Sequence, residues 1–508
     1  MFTLLRVALS ALAVVGATAS QAQAPDLSGL LSPAQPKPGV ILVWSSNPSS
    51  AQTATARSAA GSAAPSAQVD VVNGSSLAVR RAIGRGEIPA AAARRPKAED
   101  LVAAAIALGA DALVAVPEEA TDEYVVVATA AGVRRSLPTD ATEQAIVGAI
   151  RDVLAAPRSS PDALYTHGRI LAARGELGAA ADALASAVQA APNQVEYRVA
   201  YARALRAAGR PRMADTEVRT AAKQQPKNPL VQMAVAEMEA SHGRWIAAMA
   251  AATAAANASD PPLGIHKLLG DLCLATGRSV QACEEYKLAG KQVGALKPLA
   301  QLLLRQGQWD DAISAASDAL ALAPDDTDVR ATLASAYSGA CRYPEAIIQR
   351  ATIITQLAEH VSDSAESTRS GASAAAIHRG PPTLPPATEE FVARQVRGLL
   401  TDVLSGCRDV AYGTGSRTQL YRAMQESLIA ADRLRAELAS GPTSPATDEA
   451  GAHRALAYAL WSQASYDLIK ALEGTDTAAL SGPLDLVSQA VDELDQAAKA
   501  AMRARSRK

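Results

Sequence analysis

Five glycines, Gly175, Gly209, Gly243, Gly277 and Gly307, recur at intervals of 34, 34, 34 and 30 residues. Five positions after each stands alanine: Ala180, Ala214, Ala248, Ala282 and Ala312. Seven positions before each stands glycine or alanine: Gly168, Ala202, Ala236, Gly270 and Ala300. A further small residue follows twelve positions after each turn, at Ala187, Ala221, Ala255, Ala289 and Ala319. A sixth register carries Ala334 and Ala346, with Cys341 at the glycine position. Pro192, Pro226, Pro261 and Pro324 close four of the units. A fixed period of this length constrains the fold to an array of stacked units. Each unit reads as two antiparallel helices joined by a tight turn at the glycine. Small residues on either side of the turn let the two helices approach closely, and larger ones there would overpack them at a cost of roughly 1–3 kcal/mol. Leu171, Leu184, Leu205, Val218, Tyr286, Leu303 and Tyr337 fill the remaining space. A hairpin of this kind buries its apolar face only by stacking on a neighbour.

Two departures mark the array. The 30-residue step removes four residues near Gly290–Gly294, which predicts a shortened helix or linker and a local change of superhelical twist. The sixth unit carries Ile353 at the late small position, as a divergent end unit would. In its register the segment from about 161 to 357 resembles the tetratricopeptide repeat family. That resemblance implies an α-α superhelix whose concave face is lined by the first helix of each hairpin and binds a protein or peptide partner. Carried onto this register, Tyr165, Arg169, Glu196, Arg203, Arg206, Glu237, Lys267, Asp271, Lys297, Gln301 and Arg305 face the groove. Basic groups predominate among them, so an acidic segment or a carboxylate terminus is the expected ligand. The competing reading is that they are ordinary solvated charges on exposed helix faces.

The chain begins with Arg6, an apolar run from Val7 to Ala17, and small residues at Ser20 and Ala22. This is the pattern of an export signal over residues 1–22, cleaved after Ala22. The run is short for a membrane span, which needs ~20 apolar residues. A flexible tail is expected over 23–38. Residues 39–157 then alternate compact apolar runs with helical stretches. Strands are predicted at Val40–Trp44, Val69–Val72, Ala112–Val116, Tyr124–Ala128 and Val133–Leu137, with helices at Ala98–Leu108 and Glu143–Leu154, the latter capped by Thr139. Residues 45–67 read as a long loop or weak helix. This order argues a small α/β domain. Its Leu108-Gly109-Ala110-Asp111-Ala112-Leu113-Val114 segment, followed by a hairpin and a helix, resembles the amino-terminal α/β domain of TolB-like and CsgG-like envelope proteins.

Beyond the array, residues 358–388 are rich in Ser, Ala, Thr, Gly and Pro and read as an extended linker. A helical bundle is expected over 389–508, with Leu420, Met424, Leu428, Ala431, Leu434 and Leu438 on one helix face and Leu456, Leu460, Ala464 and Leu468 on another. The fold class is therefore mainly α, a repeat superhelix flanked by a small α/β domain and a carboxy-terminal bundle.

Composition narrows the function. With 49 basic and 51 acidic residues the formal net charge is -2, and aromatic residues make up 3%, so neither a phosphate-tracking surface nor a base-stacking platform is expected. None of the six histidines pairs at metal-binding helical spacing. No phosphate loop or nucleophile elbow occurs, so neither a cofactor nor an enzymatic reaction is expected. Cys273 and Cys283 fall on facing helices of one hairpin, where they are either a disulfide or two small buried hydrophobes. The expected protein is an exported, periplasmic or secreted scaffold that holds other proteins in the bacterial cell envelope, without stable membrane insertion. The alternative is a periplasmic ligand-binding or sensory protein acting through the α/β domain.

Overall fold

A computed structural model describes residues 39–85, 87–88, 98–117, 123–131, 133–155, 159–290, 292–370, 386–439 and 449–506. The expected export signal, the tail at 23–38 and the proline-rich part of the linker lie outside the described residues.

The amino-terminal unit is a five-stranded sheet in the order β2-β1-β3-β4-β5. Its strands are β1 Val40–Trp44, β2 Gln68–Val72, β3 Ala112–Ala115, β4 Tyr124–Ala128 and β5 Arg134–Leu137. The first three are parallel, and β4 and β5 add antiparallel neighbours. Alternate side chains point to opposite faces of a strand. Ile41, Val43, Val114 and Val126 accordingly pack on α1 (Ala51–Ala63) and α4 (Glu143–Leu154), while Leu42, Trp44 and Leu113 pack on α2 (Leu77–Gly84) and α3 (Ala98–Ala107). Residues 45–67, expected as loop or weak helix, thus contain the full helix α1, started by Ser50, whose side chain accepts from the Thr53 amide. The cap of α4 is Thr142, not Thr139: its side chain accepts from the Ala145 amide, the N3 position of the helix.

Six hairpins follow. They are α5/α6 (Pro161–Ala173, Leu177–Ala190), α7/α8 (Val195–Ala207, Pro211–Gln224), α9/α10 (Pro229–Ser241, Trp245–Ala256), α11/α12 (Ile265–Ala275, Ser279–Leu288), α13/α14 (Val293–Arg305, Trp309–Leu322) and α15/α16 (Thr327–Gly339, Tyr343–Ser370). All five turn glycines have φ between 72° and 78°. That left-handed conformation is one glycine adopts without steric penalty. Cys341 holds the same turn in the sixth unit with φ 58°, the only non-glycine residue at positive φ among the described residues. Ala180, Ala214, Ala248, Ala282, Ala312 and Ala346 are all fully buried. At the opposing position the choice of glycine or alanine follows the size of the facing residue. A Cβ at Gly168 would stand 2.5 Å from Leu184 Cγ, and one at Gly270 would stand 2.5 Å from the Tyr286 ring. Where Val218, Ala252 or Ala316 stands in that register, Ala202, Ala236 and Ala300 fit and are buried.

The 30-residue step is a helix shortening. Helix α12 has 10 residues where α6, α8 and α14 have 14, and the four-residue connection to the next unit keeps its length. Four residues are about one helical turn, so the stacking register of α13 is preserved. Cys273 and Cys283 are unbridged and buried in the core shared by units four and five.

Helix α16 continues to Ser370, past the composition shift near residue 358. Ile347, Ala351 and Ile354 of α16 share one apolar core with α17 (Pro386–Ala411), α18 (Arg417–Ala439), α19 (Glu449–Glu473) and α20 (Ser481–Ser506). Array and bundle are therefore fused through α16. On α19 Ala464 and Leu468 of the expected stripe are buried and Leu460 is partly buried, joined by Ala457, Tyr458 and Trp461, while Leu456 is exposed. No helix among the described residues is long and apolar enough to cross a membrane.

Candidate partner-binding groove

The first helices of successive hairpins approach one another along the array, α5 to α7, α7 to α9, α9 to α11, α11 to α13 and α13 to α15, with no comparable approach between successive second helices among the described residues. The first-helix side is therefore the inner, concave wall. Arg169, Arg203, Glu237, Asp271 and Gln301 occupy one register position in five successive units, so they form a ladder along that wall. Tyr165, Val199, Met233, Lys267 and Lys297 form the neighbouring ladder.

Geometry changes the charge reading. Arg203 pairs with Glu237 at 2.9 Å, one step along its own ladder. Lys267 pairs with Asp271 at 2.6 Å. Lys297 bridges Asp326 and Asp328, each at 3.1 Å. Burial works against the Lys297 ammonium, but its hydrogen bonds to Asp328 and Asp326 outweigh that and raise its pKa. Arg206 turns to Asp215 of α8 at 3.3 Å, and Asp215 also meets His242 at 2.7 Å across the next turn. The expected basic excess is thus largely committed to carboxylates of the array itself. Among the expected groove cations, no ion pair is formed by Arg169 or Arg305 among the described residues.

A cavity of about 540 Å³ opens on this wall at units one to three. Tyr165, Arg169, Glu196, Val199, Arg203 and Leu230 supply its inner-wall face, with Leu177 and Leu184 beneath. Its other side is Glu87, Ile106 and Ala107 of the α/β unit, which no sequence signal placed at the groove. Arg206, Lys267, Lys297, Gln301 and Arg305 do not line it. Tyr165 is held from behind: its ring stacks on Tyr197 at 4.7 Å between centroids and an interplanar angle of 25°. The Tyr197 hydroxyl donates to the Asp162 carboxylate, and that bond, with burial, pushes the phenol up to about 12. The Arg169 guanidinium lies 5.7 Å from the Tyr165 ring centroid, a cation–π distance. The result is a preorganised aromatic and cationic corner over an apolar floor. A volume of this size falls in the range of sites that bury a compact ligand or a few side chains. No cluster of His, Cys, Asp or Glu among the described residues could hold a metal ion.

These features define a helical-repeat solenoid with an inner-wall cleft, the architecture of a protein-protein interaction scaffold. Residues 171–238 and 303–358 match the sequence profile of the tetratricopeptide repeat, and the array is built of these repeats. Among solved structures, the chain is similar to PilF of Pseudomonas aeruginosa, at 18% identity over 37% of this chain and 88% of that one, with a TM-score of 0.35. It is also similar to TTC0263 of Thermus thermophilus, a thermophilic tetratricopeptide-repeat protein, at 23% identity over 35% of this chain and all of that one, with a TM-score of 0.31. YrrB, described as having an unusual peptide-binding site, matches at 14% identity over 35% of this chain and 93% of that one, with a TM-score of 0.30. At these identities the likeness concerns the repeat fold alone. Among curated protein sequences none matches.

Proposed function

We propose that the protein is an exported scaffold that holds a protein partner on the inner wall of repeats one to three. The observation that carries this reading is the cavity in which Arg169 and Glu196 form no ion pair among the described residues while the surrounding floor is apolar. A partner segment would place an apolar side chain over Val199 and Leu230 and a carboxylate against Arg169, whose charge-assisted hydrogen bond contributes about 1.5–3 kcal/mol. The acidic character expected of the partner narrows to that one contact.

Selection of a displayed random peptide library on the full chain tests the site. Selected peptides should lose at least tenfold in affinity for Arg169→Glu and keep it for Arg212→Glu on the second-helix side. Equal affinity for both variants removes the assignment. Location in the periplasm or outside the cell rests on the pattern of residues 1–22. Sequencing of the mature amino terminus tests it: a start at Gln23 supports export with cleavage, and a start at Met1 contradicts it. In the envelope, the α/β unit is the natural second docking surface of such an adaptor.

A further inference from the structure

The edge of the array that carries the turns breaks a local rule three times in succession. Helices α8, α10 and α12 each begin directly after a turn glycine and one arginine, Arg210, Arg244 and Arg278. Each arginine is the N-cap residue of its helix, and none makes a side-chain cap hydrogen bond. Helix starts favour Ser, Thr, Asp or Asn at that position, and the positive end of the helix dipole opposes a cation there. Unit one has Glu176 and unit five Gln308 at the same place, so the repeat itself does not require arginine. A local rule broken in three neighbouring units marks a place where another demand wins. The side chains beside the arginines indicate that demand. Met213 is 50% exposed, Trp245 41%, Ile246 89% and Val280 68%. Single exposed apolar residues are ordinary on a protein surface. Here they recur at the start of the second helix in units two, three and four, so stacking of the units sets them in one row.

Arg210, Arg212 and Arg278 are exposed and form no ion pair among the described residues, while Arg244 pairs with Glu239 of its own hairpin. The row ends where the charge changes sign, at the exposed Asp310 and Asp311 of unit five. Protruding apolar tips enclose no volume, and a rigid protein partner would need a matching pocket for each. A lipid interface needs none. Its headgroup region takes up tryptophan and aliphatic tips wherever they enter, and anionic headgroups attract the neighbouring arginines. The chain as a whole carries a formal charge of -2, so this attraction is local to the edge. We propose that the turn edge of repeats two to four is a docking surface for an anionic membrane. Met213, Trp245, Ile246 and Val280 enter the headgroup region, and Arg210, Arg212 and Arg278 meet the phosphates. The contact lies on the bilayer and does not cross it. None of these residues lines the cavity on the inner wall, so the cleft stays open to a partner while the array is docked edge-on.

The experiment is quenching of tryptophan fluorescence in the full chain by vesicles of phosphatidylglycerol and phosphatidylcholine with brominated acyl chains. Trp44 and Trp461 are buried and Trp309 packs on Gly339 of the next unit, so Trp245 is the reporter. Vesicles should quench the wild-type chain, and Trp245→Phe should remove most of that quenching. Arg210→Gln with Arg278→Gln should weaken partitioning roughly 25-fold, from roughly fivefold for each arginine at an anionic surface. Ile246→Glu with Val280→Glu should weaken it at least about tenfold. Vesicles of phosphatidylcholine alone, or 1 M salt with a Debye length of roughly 3 Å, should weaken it likewise. The substituted side chains are exposed, and unchanged far-ultraviolet circular dichroism confirms that the helices stay folded. The apolar run at Val7–Ala17 would bring the chain to vesicles without quenching Trp245, so the readout separates the two. Equal quenching in the wild type and Trp245→Phe, or quenching unaltered by both double variants, overturns the proposal. A protein partner on this edge in place of lipid would leave Trp245 unquenched, which overturns it too.

Discussion

At the scale of single residues, the array depends on which positions tolerate a Cβ. The turn glycines were legible because only glycine takes positive φ at little cost, and five of them repeat. Cys341 is the exception that measures the rule. A side chain in the left-handed region costs roughly 1–2 kcal/mol, partly offset by the roughly 0.4–1 kcal/mol that glycine's extra freedom costs in the unfolded chain. Cys341→Gly should therefore stabilise the protein by about 0.5–1 kcal/mol, read from the midpoint of denaturant unfolding at unchanged slope. A lower midpoint would mean that the thiol makes a contact worth more than the strain it stores. The split between Gly168, Gly270 and their alanine equivalents was less legible. It depends on Leu184 and Tyr286 across the hairpin, and the period alone does not say which side chain crosses.

At the scale of elements, helices and strands were readable wherever one face is consistently apolar. Strands β1, β3 and β4 fell where continuous Val, Ile and Leu runs placed them, because a sheet covered on both faces needs such runs. Helix α1 reads from sequence only as a loop or weak helix because Ser, Thr, Gln and Ala dominate it, and its burial on the sheet uses only Thr53, Ala56, Ala59 and Ala60. The fusion through α16 was also invisible. Its key contact is Arg350, which donates to Asp402 of α17 at 2.9 Å and to Gln395 at 3.1 Å. Gly398 leaves room for it, since a Cβ there would lie 2.6 Å from the guanidinium carbon. Both charged side chains are buried. Removing one partner of such a pair leaves the other uncompensated, at about 3–5 kcal/mol. Arg350→Ala should lower stability by that amount and loosen amide protection in α16 and α17 together. A loss under about 1 kcal/mol, within the range of exposed pairs, would show that apolar packing alone joins array and bundle.

For the whole molecule, the sequence placed the inner wall but not its charge state or its cover. The wall followed from the period. The cations followed from position in the first helices, yet their partners did not. Arg203–Glu237 joins equivalent positions of neighbouring units and could have been found by comparing repeats in register. Lys297 with Asp326 and Asp328 crosses from one unit's first helix to the start of the next, which no spacing rule within a unit captures. Ile106 and Ala107 reach the cavity only because the α/β unit folds back across the array, a tertiary fact with no local sequence signature. What remains for a partner is the corner made by Tyr165, Arg169 and Glu196. Its most direct test is photo-crosslinking in the producing cell, with a photoreactive amino acid at Tyr165 and, as control, at Ser186 on the exposed face of α6. A discrete protein adduct at Tyr165, absent at Ser186 and lost on Arg169→Glu, is the expected result. Adducts that are the same at both positions, or indifferent to Arg169, would contradict a partner site on the inner wall.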